Sequence, residues 1–342
     1  MCSRKFSSIC NGGYRWWANA HTAPGRKLRM STIRRLSVGS VGAPVRKLEL
    51  QLKQRGLLKG PVDDRFDEKT KAAVMKFEQR HGFEVNGVVG ERISKWLDLG
   101  LSVTRPGPRG DGKGVFDVVS MNVKSNPEMP QDQVVHDVRR AAKAGDIIGW
   151  QEIAPDRYRD AIRDLPGFDH FMPKGLETPI SWKSKDWKLL DSGVKQMHEG
   201  EAGISPHRAV AWVKLKNKET GETIVHMNTH LVSGAWNKEH TASDPWRQKM
   251  WNRHMERMGN LVEHFERKGF PVTITGDFNR NHFKVFGNKV AYDSGLRAGT
   301  HGSSTLDYVM HTRHEALQKV SNRIDSKFAS DHNAVIVRYD LD

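Results

Sequence analysis

The sequence predicts an α+β protein in which a small helical domain precedes a larger domain of strands and helices. Three observations support this prediction. Residues 36–99 place apolar residues at helical spacing, residues 100–114 are rich in glycine and proline, and residues 115–342 alternate β-like apolar runs with helical patterns. The length of 342 residues also exceeds what one modest core usually organises, which favours two domains.

Residues 1–35 form a basic tail for which the composition predicts disorder. Residues 1–40 contain eight Lys and Arg and no acid, and so carry over half of the formal net charge of +15. The tail has no apolar stretch of the kind found in a secretory signal peptide. Both cysteines, Cys2 and Cys10, lie in it, so we expect no internal disulfide and no cysteine-based zinc site in the folded regions. Translation could start at Met1 or at Met30.

The charge of the remaining chain is nearly balanced. Residues 101–342 contain thirty-five Lys and Arg and thirty-one Asp and Glu, so the whole-chain charge is weak support for a polyanionic substrate. No apolar run approaches the roughly eighteen residues of a membrane span. A composition of 37% hydrophobic and 28% charged residues is typical of a globular protein.

Three short helices are predicted in the first domain, over 43–57, 67–81 and 91–97. Asp67 is placed to cap the second helix, and Gly82 is placed to end it. A domain of this size is better suited to binding than to catalysis.

The first domain resembles the three-helix peptidoglycan-binding domain of bacteria. The resemblance rests on residues 36–48, 66–79 and 85–90, and it departs mildly from the family at Asn86, where many members carry Asp. It implies a three-helix fold and peptidoglycan as a partner. Because the matching positions are mostly core and turn positions, a module that only packs or dimerises is the alternative.

The second domain, predicted over residues 115–342, follows the linker 100–114. Strands are predicted over 116–123, 147–151, 209–215, 223–231, 271–275 and 334–339, and helices over 131–143, 155–163 and 246–268. Polar groups at the ends of adjacent strands converge on one edge of a sheet. We therefore expect a functional site at such an edge.

Six separated segments carry carboxylate, amide or imidazole side chains at the ends or starts of these runs. They are Ser120-Met-Asn122, Trp150-Gln-Glu152, Asn228-Thr-His230, Gly276-Asp-Phe-Asn279, Leu306-Asp-Tyr308 and Ser330-Asp-His332. Brought together, such side chains meet the needs of a divalent cation and a reacting phosphate diester. Each segment alone is compatible with a turn or cap, but the six together predict a metal-dependent phosphoester hydrolase.

In their order and spacing these segments resemble the endonuclease/exonuclease/phosphatase superfamily, which includes pancreatic-type deoxyribonucleases, abasic-site endonucleases, inositol phosphatases and bacterial sphingomyelinases. The resemblance covers nearly the whole second domain. It implies a four-layer α/β sandwich of two β-sheets flanked by helices, with Mg²⁺ or Mn²⁺ at one end of the sheets.

The resemblance also implies a set of metal and water ligands. Glu152 resembles the principal metal ligand, and Asn122 and Asp331 are close to the metal or its water shell. Such hard oxygen ligands suit Mg²⁺ better than zinc. Asp277 and Asn279 occupy the positions that orient the attacking water and hold a phosphate oxygen.

Two histidines complete the set implied by the family. His332, paired with Asp307, resembles the imidazole that binds phosphate or exchanges a proton. His230 matches a second histidine of the deoxyribonuclease and sphingomyelinase branches. Arg208 is either a phosphate ligand or a solvated surface arginine.

Some positions depart from the family or remain open. Lys124 stands where abasic-site endonucleases tend to have an acid, which disfavours the repair branch. The carboxylate that supports His230 in some deoxyribonucleases cannot be assigned within residues 168–178. Trp182 and Trp236 could stack on bases, although packing in the core is the simpler interpretation.

These observations predict a Mg²⁺-dependent phosphodiesterase, most simply a nuclease, targeted to the bacterial cell wall by its first domain. One alternative keeps the chemistry but uses a phospholipid or sugar phosphate. Another is a phage-derived wall-lytic protein with an inactive second domain. Cell-wall association or an extracellular location is expected, and a phage-encoded origin would explain the missing signal peptide. The sequence does not distinguish DNA from RNA, endo from exo action, or one oligomeric state from another.

Overall fold

The computed structural model describes residues 35–83, 85–99, 113–125, 127–236, 245–281, 283, 291–293, 299–314 and 316–341. The predicted tail and linker lie outside the described residues except for Arg35 and residues 113–114, and so do Cys2, Cys10 and Met30. Within the described part of the chain, no helix combines the length and the apolarity needed to span a membrane.

The first domain contains the three predicted helices: α1 (Ala43–Gln54), α2 (Glu68–His81) and α3 (Glu91–Trp96). Asp67 caps α2 as predicted, because its carboxylate accepts the backbone N–H groups of Lys69 and Thr70. Gly82 ends α2 with a φ of 70°, a left-handed conformation that suits glycine. The helix α1 ends three residues before the predicted boundary.

Buried apolar side chains from all three helices form one core in this domain, and two buried acids fix its loops. Glu49 accepts the hydroxyl of Thr70 (3.0 Å), and Glu78 accepts the backbone N–H groups of Asn86 and Gly87 (3.0 and 2.8 Å). Buried carboxylates require such donors. The turn around Asn86 is therefore tied to the middle of the domain.

The described residues between 113 and 341 form two six-stranded sheets and three further helices. The strands are β1 (Val115–Asn122), β2 (Ile147–Gln151), β3 (Phe168–Phe171), β4 (Ile180–Lys183), β5 (Trp187–His198), β6 (Arg208–Asn217), β7 (Thr223–His230), β8 (Val272–Asp277), β9 (Ala291–Asp293), β10 (Asp307–Thr312), β11 (Leu317–Asp325) and β12 (Ala334–Leu341). The helices are α4 (Gln131–Ala144), α5 (Asp156–Arg163) and α6 (Pro245–Arg267).

Each sheet is mixed and has one parallel pair near its centre. The first sheet has the order β11-β12-β1-β2-β4-β3, with β1 parallel to β2. The second has the order β5-β6-β7-β8-β10-β9, with β7 parallel to β8. Because parallel neighbours end at the same edge, the carboxyl ends of β1 and β2 lie side by side, and so do those of β7 and β8.

Three apolar clusters arrange these elements in four layers. One cluster joins α4 and α5 to the outer face of the first sheet, a second fills the space between the sheets, and a third joins α6 to the outer face of the second sheet. The predicted four-layer sandwich is thus confirmed. Trp182 is 1% exposed in the middle cluster, so the packing interpretation holds for this residue.

Buried polar contacts join the two sheets near the edge where the parallel strands end. The Asn228 amide donates to the carbonyl of Trp150 (2.6 Å) and accepts from the amide of Gln151 (2.7 Å). Gly149 makes this approach possible, because a Cβ there would lie 1.9 Å from Oγ1 of Thr275. These buried hydrogen bonds fix one sheet against the other.

The described sheets contain the six predicted strands, and α4, α5 and α6 agree with the predicted helices to within one residue at each end. The strand predicted over 271–275 starts at Val272 and continues to Asp277. Edge strands β5 and β11 were not predicted, because most of their residues are exposed or half-buried and show no apolar alternation.

Candidate active site

Strand ends from both sheets meet at one end of the sandwich. Asn122 is the last residue of β1, and Glu152 directly follows β2 in the first sheet. In the second sheet, His230 ends β7, Asp277 ends β8 and Asp307 begins β10. The site is therefore a seam between two sheets, and we call it the catalytic seam.

An amide and two carboxylates are in contact at the centre of the catalytic seam. The Asn122 amide donates to Oε1 of Glu152 (3.2 Å) and to Oδ2 of Asp277 (3.1 Å). Ser125 donates its backbone N–H and its hydroxyl to the other oxygen of Glu152 (2.8 and 3.0 Å). Glu152 adopts a φ of 64°, which a non-glycine residue rarely does and which is frequent at functional sites.

The oxygens at this position suit a hard divalent cation. Oδ1 of Asn122 is buried and has no hydrogen-bond partner among the described residues. Such an orphaned oxygen calls for a missing partner. Together with the Glu152 carboxylate that the same amide contacts, it offers the oxygen ligands preferred by Mg²⁺ and Mn²⁺. The residues present therefore fit the predicted metal.

Asp331 lies at the rim of this group and is held by Lys124. Nζ of Lys124 lies 2.8 Å from Oδ2 of Asp331, and Nε2 of His301 lies 3.8 Å from the same oxygen. Burial acts to raise the pKa of Asp331, but the Lys124 ammonium and His332 outweigh it and lower that pKa. Asp331 is thus an ionised carboxylate, as a metal ligand must be.

The loop that precedes β12 is fixed from two directions. Asp137, buried on α4, accepts the backbone N–H of Ser330 (2.8 Å). The Ser330 hydroxyl donates to the carbonyl of Asn122 (2.9 Å). These two bonds set the positions of Asp331 and His332, which follow directly.

His332 forms an ion pair across the seam with Asp307. Its Nδ1 donates to Oδ2 of Asp307 at 2.8 Å, and both side chains are buried. Burial acts to lower the pKa of His332, but Asp307, followed by Asp277 and Asp331, raises it to about 10. At neutral pH this histidine is an imidazolium.

Asp277 and Asn279 lie together at the end of β8. Oδ1 of Asp277 accepts the backbone N–H of Asn279 (2.8 Å), and Asn279 adopts a φ of 49°. The Asn279 amide donates to the carbonyl of Leu231 (3.1 Å), which sets its orientation. Burial and the neighbouring Asp307 raise the pKa of Asp277.

A second ion pair crosses the seam at His230. Nδ1 of His230 lies 3.0 Å from Oε1 of Glu177, although the ring N–H does not point squarely at that oxygen, and Nε2 lies 3.6 Å from Oδ2 of Asp277. The Arg208 guanidinium binds the same Glu177 carboxylate. Burial acts to raise the pKa of Glu177, but His230 and Arg208 outweigh it and lower that pKa to about 2.

Opposing influences act on the pKa of His230, and the net result is a raised pKa. Burial and the Arg208 guanidinium lower it, whereas Glu177 and Asp277 raise it and prevail. The raised pKa favours the charged form of His230, in an ion pair that also contains an arginine.

The catalytic seam contains every residue predicted for the site. The metal, water and phosphate roles assigned to these residues stay predictions. One interpretation was wrong: Arg208 is not a solvated surface residue, because its side chain is 11% exposed and bound to Glu177.

Several functional neighbours were missed from the sequence. Glu177 was one of two acids in the segment 168–178, and the signal that separates it from Asp169 is its place directly before the buried run that opens β4. Ser125 and His301 carry no sequence signal, since their roles depend on contacts made across the fold. Trp236 packs against Trp251 (ring centroids 5.7 Å apart), as the packing interpretation expects.

Comparisons with known proteins agree with this geometry. Residues 41–97 match the family model described as "Putative peptidoglycan binding domain". An endonuclease/exonuclease/phosphatase from Bacteroides vulgatus superposes with a TM-score of 0.54 at 16% identity, covering 67% of this chain and 99% of that one. The second domain has the endonuclease/exonuclease/phosphatase fold. No curated protein sequence matches this chain.

The solved structures with this endonuclease/exonuclease/phosphatase fold are named as different enzymes. A Bacteroides thetaiotaomicron mannosyl-6-phosphatase superposes with a TM-score of 0.52 at 17% identity, covering 65% of this chain and 98% of that one. D. rerio TDP2, complexed with a single-strand DNA product, superposes with a TM-score of 0.51 at 13% identity, covering 66% and 99%. The fold alone therefore does not select a substrate.

Proposed function

We propose that this protein is a Mg²⁺-dependent phosphodiester hydrolase, a nuclease, which its helical domain targets to the bacterial cell wall. The observation that supports it best is the pair of histidine–carboxylate ion pairs flanking the contact between Asn122, Glu152 and Asp277. Buried imidazolium groups beside oxygen ligands suit a reaction in which negative charge develops on phosphate. Mn²⁺ would serve in place of Mg²⁺.

Asn122, Glu152 and Asp331 would hold the metal through oxygen atoms. Bound there, Mg²⁺ would polarise a phosphoryl oxygen and stabilise the charge that develops on the leaving oxygen. Ser125 would keep Glu152 oriented through its two hydrogen bonds. Lys124 would balance the charge of Asp331 at the rim.

Asp277 would orient the attacking water and accept its proton. Its pKa is raised by burial and by Asp307, which makes this carboxylate a better base than an exposed aspartate. Asn279 would donate its amide to a non-bridging phosphate oxygen. As the bond from water oxygen to phosphorus forms, the bond from phosphorus to the leaving oxygen breaks.

The two histidines would have different roles, charge stabilisation for His332 and proton donation for His230. His332 keeps its proton until about pH 10, so it would stabilise charge on the phosphate as an imidazolium. His230 would donate its proton to the leaving oxygen, because burial and Arg208 both favour its neutral form. Glu177 would keep His230 oriented and charged before the transfer.

A sugar-phosphate or phospholipid substrate is the second candidate. A mannosyl-6-phosphatase shares the fold, and the same residues could act on a phosphomonoester or on a lipid headgroup. Hydrolysis of such a substrate at a rate far above that of nucleic acid would replace the nuclease assignment while keeping the chemistry.

The nuclease proposal is tested with supercoiled plasmid DNA and the full chain. We expect degradation with Mg²⁺ or Mn²⁺, none with EDTA, and loss of activity in Glu152→Ala and in His332→Ala. Circular dichroism would establish that both variants are folded. Intact plasmid and intact single-stranded RNA with either metal would contradict the nuclease assignment.

Wall targeting needs its own test. We expect the full chain to sediment with purified peptidoglycan sacculi and to be released by soluble peptidoglycan fragments. Recovery in the supernatant would contradict the cell-wall or extracellular location proposed for this protein. Clearing of sacculi without phosphoester hydrolysis would instead favour a wall-lytic protein with an inactive second domain.

A further inference from the structure

A cavity of about 520 Å³ opens directly beside the catalytic seam. The cavity is lined by His230, Glu177 and Arg208 of the seam and by residues of α5 and of the loop 172–176. The volume lies within the range of about 300–1,000 Å³ found for ligand pockets. A ligand in this cavity would touch the histidine that we place at the leaving oxygen.

The loop 172–176 is firmly attached to α5. Arg159 of that helix donates to the backbone carbonyls of Met172 (3.1 Å), Pro173 (3.2 Å) and Leu176 (2.9 Å). The loop leads directly into Glu177, so the wall of the cavity and the partner of His230 are fixed by the same contacts. The cavity is therefore a built extension of the site.

Most cations that line the cavity are engaged by the protein itself. Arg159 is bound to carbonyls, Arg208 to Glu177, and Arg163 to Asp160. Lys174 is different: it is exposed, and among the described residues it has no hydrogen-bond or ion-pair partner. Its ammonium remains available to an anion.

Two other residues that line the cavity affect which ligand it can bind. The imidazole of His207 also lines it, is exposed and has no partner within the described part of the chain. Asp156, on α5, is the lining acid outside the seam, and it disfavours an anion close to that helix. Among the described lining residues, the Lys174 ammonium is therefore the cation that an anionic group would bind.

The remaining lining is largely apolar. Met172, Leu176, Pro206 and Ala209 contribute to it, and Leu176 and Ala209 are 9% and 5% exposed. An apolar lining that also contains an unpaired cation suits the sugar and base of a nucleotide followed by a phosphate. A cavity of this size is in the range of one nucleotide, so it favours an unpaired strand over a duplex.

We infer that this cavity binds the nucleotide next to the scissile phosphate, with the next phosphate of the strand on Lys174, and that the substrate is single-stranded nucleic acid. The inference rests on the proposed phosphodiesterase function and names its substrate class. Lys174 is then a specificity residue for the strand, not for the reaction at the scissile phosphate.

The test compares two diesters and two charge reversals in the full chain with Mg²⁺. One substrate is a single-stranded oligothymidylate, and the other is bis(p-nitrophenyl) phosphate, which has no second phosphate. The variants are Lys174→Glu and the control Lys185→Glu, an exposed lysine beyond the far end of β4 whose nearest carboxylate is 4.0 Å away.

We expect Lys174→Glu to raise the KM for oligothymidylate about tenfold, the effect of one lost charge-assisted contact. Both kcat on this substrate and hydrolysis of bis(p-nitrophenyl) phosphate should stay within about twofold. The slope of log KM against log salt should fall by about 0.7, the value of one phosphate contact on a single strand. Lys185→Glu should behave as wild type.

Several results would overturn the inference. An unchanged KM in Lys174→Glu, an equal loss on both substrates, or a wild-type preference for duplex over single-stranded DNA would each do so. If the wild type cleaves bis(p-nitrophenyl) phosphate but not oligothymidylate, this inference fails while the phosphodiesterase function stands. If it cleaves neither with Mg²⁺ or Mn²⁺, both fail.

Discussion

Each of the two sides of the catalytic seam contains a histidine–carboxylate ion pair, but the surroundings of the two pairs differ. On the side of the proposed metal site, which we call the metal side, His332 of the first-sheet loop binds Asp307 of the second sheet. On the cavity side, His230 of the second sheet binds Glu177, which precedes a strand of the first. Each histidine–carboxylate pair therefore joins the two sheets as well as serving the site.

The difference between the two sides lies in the charges around each imidazole. Apart from burial, the strongest influences on His332 are three carboxylates, and its pKa rises to about 10. His230 has Glu177 and Asp277 nearby, which raise its pKa, but also the Arg208 guanidinium, which lowers it. The comparison teaches that neighbouring charges, and not the histidine alone, decide which imidazole can release its proton.

The largest effect is expected from Glu152→Gln on the metal side. Loss of the charged ligand removes several kcal/mol of charge stabilisation, and we expect kcat to fall about 10³-fold on oligothymidylate. Initial rates across a Mg²⁺ titration measure this. Glu128→Gln, which alters an exposed acid paired with Arg157, is the matched control. Equal losses in the two variants would contradict the metal role.

Replacing His332 should have the next largest effect. We expect His332→Gln to lower kcat about 10²-fold, because a neutral amide replaces a cation beside the phosphate. The KM for Mg²⁺ should change little, and this distinguishes the variant from Glu152→Gln. A rise in that KM with unchanged kcat would place His332 among the metal ligands instead.

On the cavity side, Glu177→Gln should have a smaller effect at neutral pH and a clear effect on the pH profile. Without the Glu177 carboxylate, burial and Arg208 lower the pKa of His230. His230 then loses its proton at a lower pH and can no longer donate it to the leaving oxygen. We expect kcat/KM at pH 7.5 to fall about tenfold. In the pH profile of the variant, the fall of kcat/KM on the alkaline side should begin at a lower pH than in the wild type. Glu201→Gln is the control variant. If the alkaline limb of the Glu177→Gln profile lies at the same pH as in the wild type, the proton-donor role of His230 is contradicted.

The smallest effect is expected from Lys124→Met at the rim of the metal side. The Lys124 ammonium lies 2.8 Å from Asp331, so it opposes a second cation on that carboxylate. Its removal should lower the Mg²⁺ concentration that gives half-maximal rate by about threefold, a size typical of exposed charge pairs. A higher half-maximal Mg²⁺ concentration in the variant would contradict this prediction and show that Lys124 supports the site in another way.

Much of this site could be predicted from the sequence because its residues end buried strands. β1, β2 and β7 are apolar runs with few exposed residues, so Asn122, Glu152 and His230 were recognisable at their ends. Glu177 was not chosen: its place before β4 is its one sequence signal, and its role depends on a contact with a residue of the other sheet. Lys174 was missed for a similar reason: only the loop geometry brings it to the cavity.

The edge strands show the same limit for the fold. β5 and β11 are held by backbone pairing with their neighbours, while most of their side chains face solvent. Backbone hydrogen bonds leave no apolar period in the sequence, so such strands are not recognisable from it.

The central claim is that the catalytic seam binds one cation through oxygen atoms that belong to the first sheet, next to the polar residues of the second. Anomalous diffraction from a crystal of the full chain soaked in Mn²⁺ tests it most directly. We predict a peak about 2.0–2.3 Å from carboxylate oxygens of Glu152 and from Oδ1 of Asn122, and none in a Glu152→Gln crystal. A map with no peak at the seam, or with a peak that survives in the variant, would contradict the account.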